Sequence, residues 1–346
     1  DADLTTLALE RVVSMLHGPA QVESLAGVAA HHFQRGDRVA EVRAWLRVLA
    51  LESGHPEALD ELTRLFAECG DIGRLLVVLS IGLEASTDPG ARRQHLLDMA
   101  SATASVGGDR ERAAQYIAAL LAESIEDSLW LRRGVAALFM LGDASWATEQ
   151  ARQLCEALPA DVAAAIYLWC GQRAEHVTKD SALALELAAE GARRFPASGE
   201  LLLMAERLSL ATRDRATAVA LYTDLIEDAI GDHGKRALAY RAGRWLERTG
   251  SYDEALAHYT HAFELAKTTG VAFKALERVA RASKKLAPLA QAQETLAELA
   301  VDDRVRLGLL RDAARTSLVD LDDPARGFRP CRRIFGPGPS RPLARL

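Results

Sequence analysis

Residues 236–269 read RALAYRAGRWLERTGSYDEALAHYTHAFELAKTT, and this stretch decides the fold. Leu238, Ala242, Trp245 and Leu246 fall at i, i+4, i+7 and i+8, one apolar stripe on a helix of 3.6 residues per turn. Thr249 and Gly250 interrupt the pattern, and Ala255, Tyr259, Ala262 and Phe263 then repeat it at the same spacing. Asp253 and Glu254 stand in the first turn of the second helix, where carboxylates suit the helix macrodipole. The unit is a helix hairpin, and neither of its stripes can be buried without a neighbour. Gly243, Ala255 and Ala262 let backbones approach, while Tyr252 and Tyr259 fill the space between.

This stretch resembles a tetratricopeptide (TPR) repeat, a 34-residue helix-turn-helix unit with a W-x2-L-G-x2-Y…A-x3-F…P pattern. The run from Gly250 to Leu256, followed by Tyr259 and Ala262, is the specific part. Gly243 stands at the family's glycine, and Ala255 and Tyr259 match its second-helix Ala and aromatic residue. Ala239, Ala242 and Leu246 replace its first-helix Trp, Leu and Tyr, and Lys267 sits where Pro is usual. The resemblance implies an all-α, right-handed solenoid of eight to nine stacked helix-turn-helix repeats. It further implies a concave groove, lined by the first helices, in which a peptide or a segment of another protein is held.

Outward from this unit the hairpin turn recurs at Gly36-Asp37, Gly70-Asp71, Gly108-Asp109, Gly142-Asp143, Lys179-Asp180, Arg213-Asp214 and Gly250-Ser251, then less clearly at Ala287-Pro288 and Asp322-Asp323. Glycine just past a helix end supplies a left-handed cap, and the following Asp caps the next helix, so the dipeptide is turn chemistry. Prolines at 56, 89, 159 and 196 mark junctions between hairpins, because proline ends one helix and can open the next. Apolar residues make up 49% of the chain with only 5% aromatic, a helix former's alphabet, so no sheet is expected. A length of 346 residues is long for one core and suits stacked repeats. The solenoid is assigned to 1–321; it starts mid-repeat, since the stripe in residues 3–16 is either the second helix of a halved hairpin or a cap.

Residues 322–346 are read as a separate tail. From Pro324 onward there are five prolines, six arginines and no acid, and Pro330 should break any helix begun at Pro324, so a disordered tail is expected. The six arginines leave the preceding chain at about −12 against a whole-chain charge of −6. That balance argues against wrapping nucleic acid, whose affinity comes from cations on phosphates. No stretch approaches 18 apolar residues, so no membrane insertion is expected. The chain opens at Asp1 and is expected to be a fragment or processed form, with cytoplasmic localisation as the default. The absence of asparagine, with only six lysines, points to GC-rich bacterial coding. Cys69, Cys155, Cys170 and Cys331 form no C-x-x-C pair and are read as free thiols.

Catalytic motifs are missing: there is no phosphate loop, dinucleotide-binding glycine motif, metalloprotease helix, nucleophile elbow or paired-cysteine box. The chain is therefore read as no enzyme, with no cofactor and no metal. His258 and His261, three apart, lack a third ligand at metal spacing and are read as outer-face residues. Trp45, Trp130, Trp146, Trp169 and Trp245 are spread over separate repeats and are read as packing.

Carried onto this sequence, the family's inner face picks Tyr240, Arg244, Glu247 and Arg248 in the central repeat. Leu203, Arg207 and Leu210 precede it, and Arg281, Lys284 and Lys285 follow. Arg207, Arg244, Arg248, Arg281, Lys284 and Lys285 together favour an acidic peptide. A secondary apolar groove is expected around Leu129, Arg132, Phe139 and Met140. TPR co-chaperones that grip heat-shock chaperone carboxylates use asparagines, which this sequence lacks. Two functions are carried forward: a protein-interaction scaffold, or a regulatory or targeting module of a larger enzyme with its catalytic domain outside this chain.

Overall fold

The structure, a computed structural model, describes residues 2–321 and 323–335. Among these residues it is all α-helical. The chain divides between Gly191 and Ala192 into two compact units. The first unit holds α1 (Ala2–Met15), α2 (Pro19–Arg35), α3 (Arg38–Leu51), α4 (Pro56–Cys69), α5 (Ile72–Ala85), α6 (Pro89–Gly107), α7 (Arg110–Ala122), α8 (Ser128–Leu141), α9 (Ala144–Cys155), α10 (Ala160–His176) and the start of α11 (Ser181–Arg194). The second holds the end of α11, then α12 (Gly199–Ala211), α13 (Arg215–Asp228), α14 (Gly231–Arg248), α15 (Tyr252–Ala266), α16 (Val271–Ser283), α17 (Ala287–Leu299), α18 (Asp303–Arg315), a π-helical turn (Thr316–Asp320) and α19 (Pro324–Phe335). Even-numbered helices are the first helices of hairpins and odd-numbered ones the second, from α2/α3 to α18/α19. Helices pack on their neighbours in sequence from α1 to α10 and from α12 to α19, with further contacts such as α6 on α8, α8 on α10 and α15 on α17. That is the packing of an α-solenoid.

Turn chemistry follows from the dipeptides. Gly36, Gly70 and Gly108 take φ of 71°, 69° and 63°, the left-handed cap conformation. Asp37, Asp71 and Asp109 then accept the amide of the third residue into the next helix, at 2.9–3.1 Å. Each such cap stabilises its helix by about 1 kcal/mol. Gly142 is different: its φ of −145° is extended, and the Trp146 ring lies against the space a Cβ would need. This glycine is required for close approach rather than for a left-handed cap.

In the central hairpin Ala239, Ala242, Trp245 and Leu246 of α14 are buried against Ala255, Tyr259, Ala262 and Phe263 of α15. Leu238, expected on the stripe, is only half-buried, because the buried face is centred one residue later. A Cβ on Gly243 would lie 2.8 Å from the Tyr259 ring, so the small residue and the large one fit as complementary surfaces.

The tail expectation is corrected over its first part. Pro324–Phe335 is a helix that packs on α18 and on the π-helical turn, despite Pro330 within it. Asp323 caps it by accepting the Arg326 amide at 3.0 Å, and Cys331 and Pro330 turn inward. Arg326 donates to the Ala287 carbonyl, and Arg333 pairs with Glu298 of α17 at 2.6 Å. Arg326 and Arg333, which fall in the tail expected to be disordered, thus dock the last helix. Residues 336–346 lie outside the described residues.

Candidate functional site

The first helices of the second unit are braced by a recurring polar clamp. Glu206 of α12 accepts from the Tyr222 hydroxyl on α13 and from Arg241 Nε on α14 at 2.9 Å. Glu247 of α14 accepts from Tyr259 Oη on α15 at 2.8 Å and from Arg278 Nε and Nη2 on α16, both at 2.8 Å. Each carboxylate therefore ties its own hairpin to the first helix of the next. The Arg278 guanidinium holds the Glu247 carboxyl below the usual carboxylate range, against the opposing effect of burial, and the Tyr259 hydroxyl adds to the lowering. Burial, then the neighbouring carboxylate, pushes both tyrosine hydroxyls up.

Tyr222 and Tyr259 are 37 residues apart, as are Arg241 and Arg278, which is the local repeat length. Glu206 and Glu247 are 41 apart, one helical turn more. The sequence reading missed the clamp because the acid changes position between repeats; the Tyr-to-Arg spacing of 19 residues, present in both, is the signal that marks it.

Around this frame the expected site residues divide. Arg244 and Arg248 are exposed on α14 and make no ion pair among the described residues. Arg207 is exposed on α12 between Leu203 and Leu210, which are 57% and 45% exposed. Tyr240 is half-buried, its ring centroid 5.6 Å from that of Tyr259, so it belongs as much to the packing as to the surface. Arg281 is spent on Glu277 one turn away at 3.0 Å. Lys284 and Lys285 do not extend the first-helix face. Helix α16 ends at Ser283, before the turn expected at Ala287-Pro288, and Lys284 takes the left-handed cap position with φ 59°. Lys285 Nζ meets Asp253 of α15 at 2.6 Å. Lys274 and Arg278, which the sequence reading passed over, occupy the exposed face of α16 instead.

In the first unit the expected apolar groove is only partly assembled. A hollow of about 320 Å³ between α6 and α8 is lined by Leu97, Ala100, Arg133, Ala136, Met140 and Leu141. Met140 is 83% exposed above it. Leu129, Arg132 and Phe139 do not line this hollow: Leu129 is exposed at the start of α8, Phe139 is half-buried, and Arg132 lies 5.1 Å over the Trp169 ring of α10. Elsewhere, His258 is half-buried rather than outward-facing, and burial pushes its pKa down. Cys155 and Cys170 are buried and not joined in a disulfide, and burial with the neighbouring Cys155 pushes the Cys170 thiol up. No helix among the described residues is long and apolar enough to cross a membrane.

No protein-family model matches the chain, and no curated protein matches it. Solved structures similar to it include a tetratricopeptide repeat protein from Parabacteroides merdae, 16% identical over 75% of this chain and 98% of that chain, with a TM-score of 0.30. Another is Naa15/Naa10 bound to HypK-THB, 15% identical over 92% of this chain and 58% of that chain, with a TM-score of 0.30. A third is the human IFIT1 dimer with PPP-AAAA, 14% identical over 89% and 76% of the two chains, with a TM-score of 0.31. This chain thus spans little over half of the length of the chain matched in the Naa15/Naa10 complex.

Proposed function

We propose that the chain is a non-enzymatic interaction scaffold that holds a segment of another protein against the faces of its first helices. The observation that carries this reading is where the large aliphatic side chains lie exposed. On α12, Leu201, Ala205 and Leu208 are buried, while Leu203 and Leu210 stand exposed on the opposite side, seven residues apart. On α8, Leu131, Val135 and Leu138 are buried, while Leu129 and Met140 are exposed. Exposed apolar groups whole turns apart on one helix face mark surfaces that meet a partner; the second helix α3 exposes such a pair too, Val39 and Leu46, and is the competing surface.

Photoreactive benzoylphenylalanine placed at Leu203, at Met140 and, as a second-helix reference, at exposed Val77 of α5 tests this in the cells that make the chain. Adducts of defined mass from positions 203 and 140, absent at 77, are expected. Equal adducts at all three positions, or none at any, would overturn the proposal.

A further inference from the structure

We infer that the first-helix face of α12, α14 and α16 is a receptor for an acidic amphipathic segment of a partner protein. The segment's apolar edge would lie on Leu203 and Leu210, and its carboxylates would face Arg244, Arg248 and Lys274. The inference rests on the scaffold reading above and gives that scaffold's partner a chemistry.

Three observations lead to it. The first is charge segregation by face. Helices α12, α14 and α16 carry nine Arg and Lys against five Asp and Glu, whereas their hairpin partners α13, α15 and α17 carry one against eight. In the first unit the first helices α2, α4, α6, α8 and α10 carry seven against eight, so no such separation exists there. Solubility alone does not require the two sides of one run of hairpins to differ in sign.

The second is the division of labour among the cations. Arg241 and Arg278 are held by Glu206 and Glu247, and Arg281 by Glu277. Arg244, Arg248 and Lys274 are exposed and make no ion pair among the described residues. The Arg278–Glu247 pair sets the register of α16 against α14. Lys274 lies one turn before Arg278 and Arg244 one turn before Glu247 and Arg248, so the three cations sit at neighbouring levels of adjacent helices, with Arg244 close enough to Glu247 to help lower its pKa. The clamp orders the helices that present them, and a pre-ordered array loses less freedom when it binds.

The third is the apolar edge. Leu203 and Leu210 flank the basic field on α12, which suits a ligand with one apolar side and one acidic side rather than a uniform polyanion. Single-stranded nucleic acid binds by stacking bases on exposed aromatic rings. On this face Tyr240 is half-buried beside Tyr259 and Phe273 is half-buried beside Phe263, so neither ring is open for a base to stack on.

The test uses the full chain and fluorescence anisotropy. The probe is a fluorescein-labelled synthetic helix of about 16 residues, long enough to span roughly 24 Å, with Leu along one side and Glu and Asp along the other. A peptide with Lys in place of the acids and a single-stranded oligonucleotide of similar length serve as comparators. Binding of the acidic helix is expected to weaken about tenfold or more in Arg244→Glu/Arg248→Glu, and to fall as salt is raised. Lys274→Glu should weaken it about threefold, and Leu203→Ser/Leu210→Ser about fivefold. Arg112→Glu on α7 should leave it unchanged, and circular dichroism confirms that each variant is folded. Equal binding by wild type and the double charge reversal overturns the inference, as does tighter binding of the oligonucleotide or no binding of the acidic helix. If the acidic helix fails while position 203 still cross-links a partner, the acidic chemistry falls and the scaffold stands; if both fail, both fall.

Discussion

Glu247→Ala removes the acceptor of three hydrogen bonds, from Tyr259 Oη and from Arg278 Nε and Nη2, all at 2.8 Å. The Arg278 side chain is 57% exposed, so its share is that of a surface pair, about 0.5–1 kcal/mol. Tyr259 is fully buried, and loss of its hydroxyl's partner costs about 1–2 kcal/mol. Alanine's better helix propensity offsets a few tenths, leaving a net loss of about 1.5–2.5 kcal/mol. Glu277→Ala, by contrast, removes one exposed i,i+4 pair with Arg281 and should change stability by about 0.3 kcal/mol or less. Because hairpins open locally, the assay is native-state hydrogen exchange read helix by helix rather than a single melting curve. Exchange in α14–α16 should rise roughly tenfold to seventyfold in Glu247→Ala, with α2–α5 unchanged. The pH dependence has a definite sign. The folded pKa of Glu247 lies below its ordinary 4.5, so its stabilisation is present above that value and is lost as pH falls through the folded pKa. The gap between wild type and Glu247→Ala should therefore hold at neutral pH and close on strong acidification. Equal effects of the two substitutions, or loss of protection in α2–α5, would refute the clamp.

Three further outcomes follow from the packing. Ala255→Asp buries a carboxylate without a partner at a fully buried site, costing about 3 kcal/mol or more; exchange should rise in α14–α16 while the first hundred residues stay protected, and a uniform rise would sink the solenoid packing. Deleting 324–346 removes α19 from α18, so exchange in α17 and α18 should rise about tenfold or more; unchanged exchange would show that α19 does not cap the run. Lys284→Gly relieves a left-handed backbone position and should stabilise the α16/α17 turn by up to about 1 kcal/mol without altering binding of the acidic helix; weaker binding would return Lys284 to the site.

The hairpins were legible because a helix pattern broken by Gly-Asp admits few other conformations. Lys179 and Arg213 also take left-handed φ, of 59° and 61°, and the Asp after each still marked the turn; where both the Gly and the Asp are missing, the boundary was lost. Lys284 adopts the same left-handed turn as Gly36 or Gly70, but nothing in a lysine announces it, and the misplaced boundary carried Lys284 and Lys285 onto the wrong surface. Pro330 misled in the opposite sense. Proline removes a donor and crowds the preceding turn, yet α19 persists because Asp323 caps it and Arg326 and Arg333 dock it on α17. The resemblance places Arg244 and Arg248 on the first-helix face, and both are exposed on α14. Whether a cation on that face is committed depends on partners in the next hairpin, as Arg278 and Glu247 show, and a single repeat does not reveal those.

The most direct measurement of the central claim is hydroxyl-radical footprinting of the chain alone and in complex with the partner that cross-links through position 203. Leu203, Leu210 and Met140 react readily when exposed, and so do Val77 on α5 and Val301 between α17 and α18. Partner binding is predicted to protect Leu203 and Leu210 while leaving Val77 and Val301 as reactive as before. Protection of Val77 with Leu203 and Leu210 still reactive would place the partner on the second helices and contradict the account.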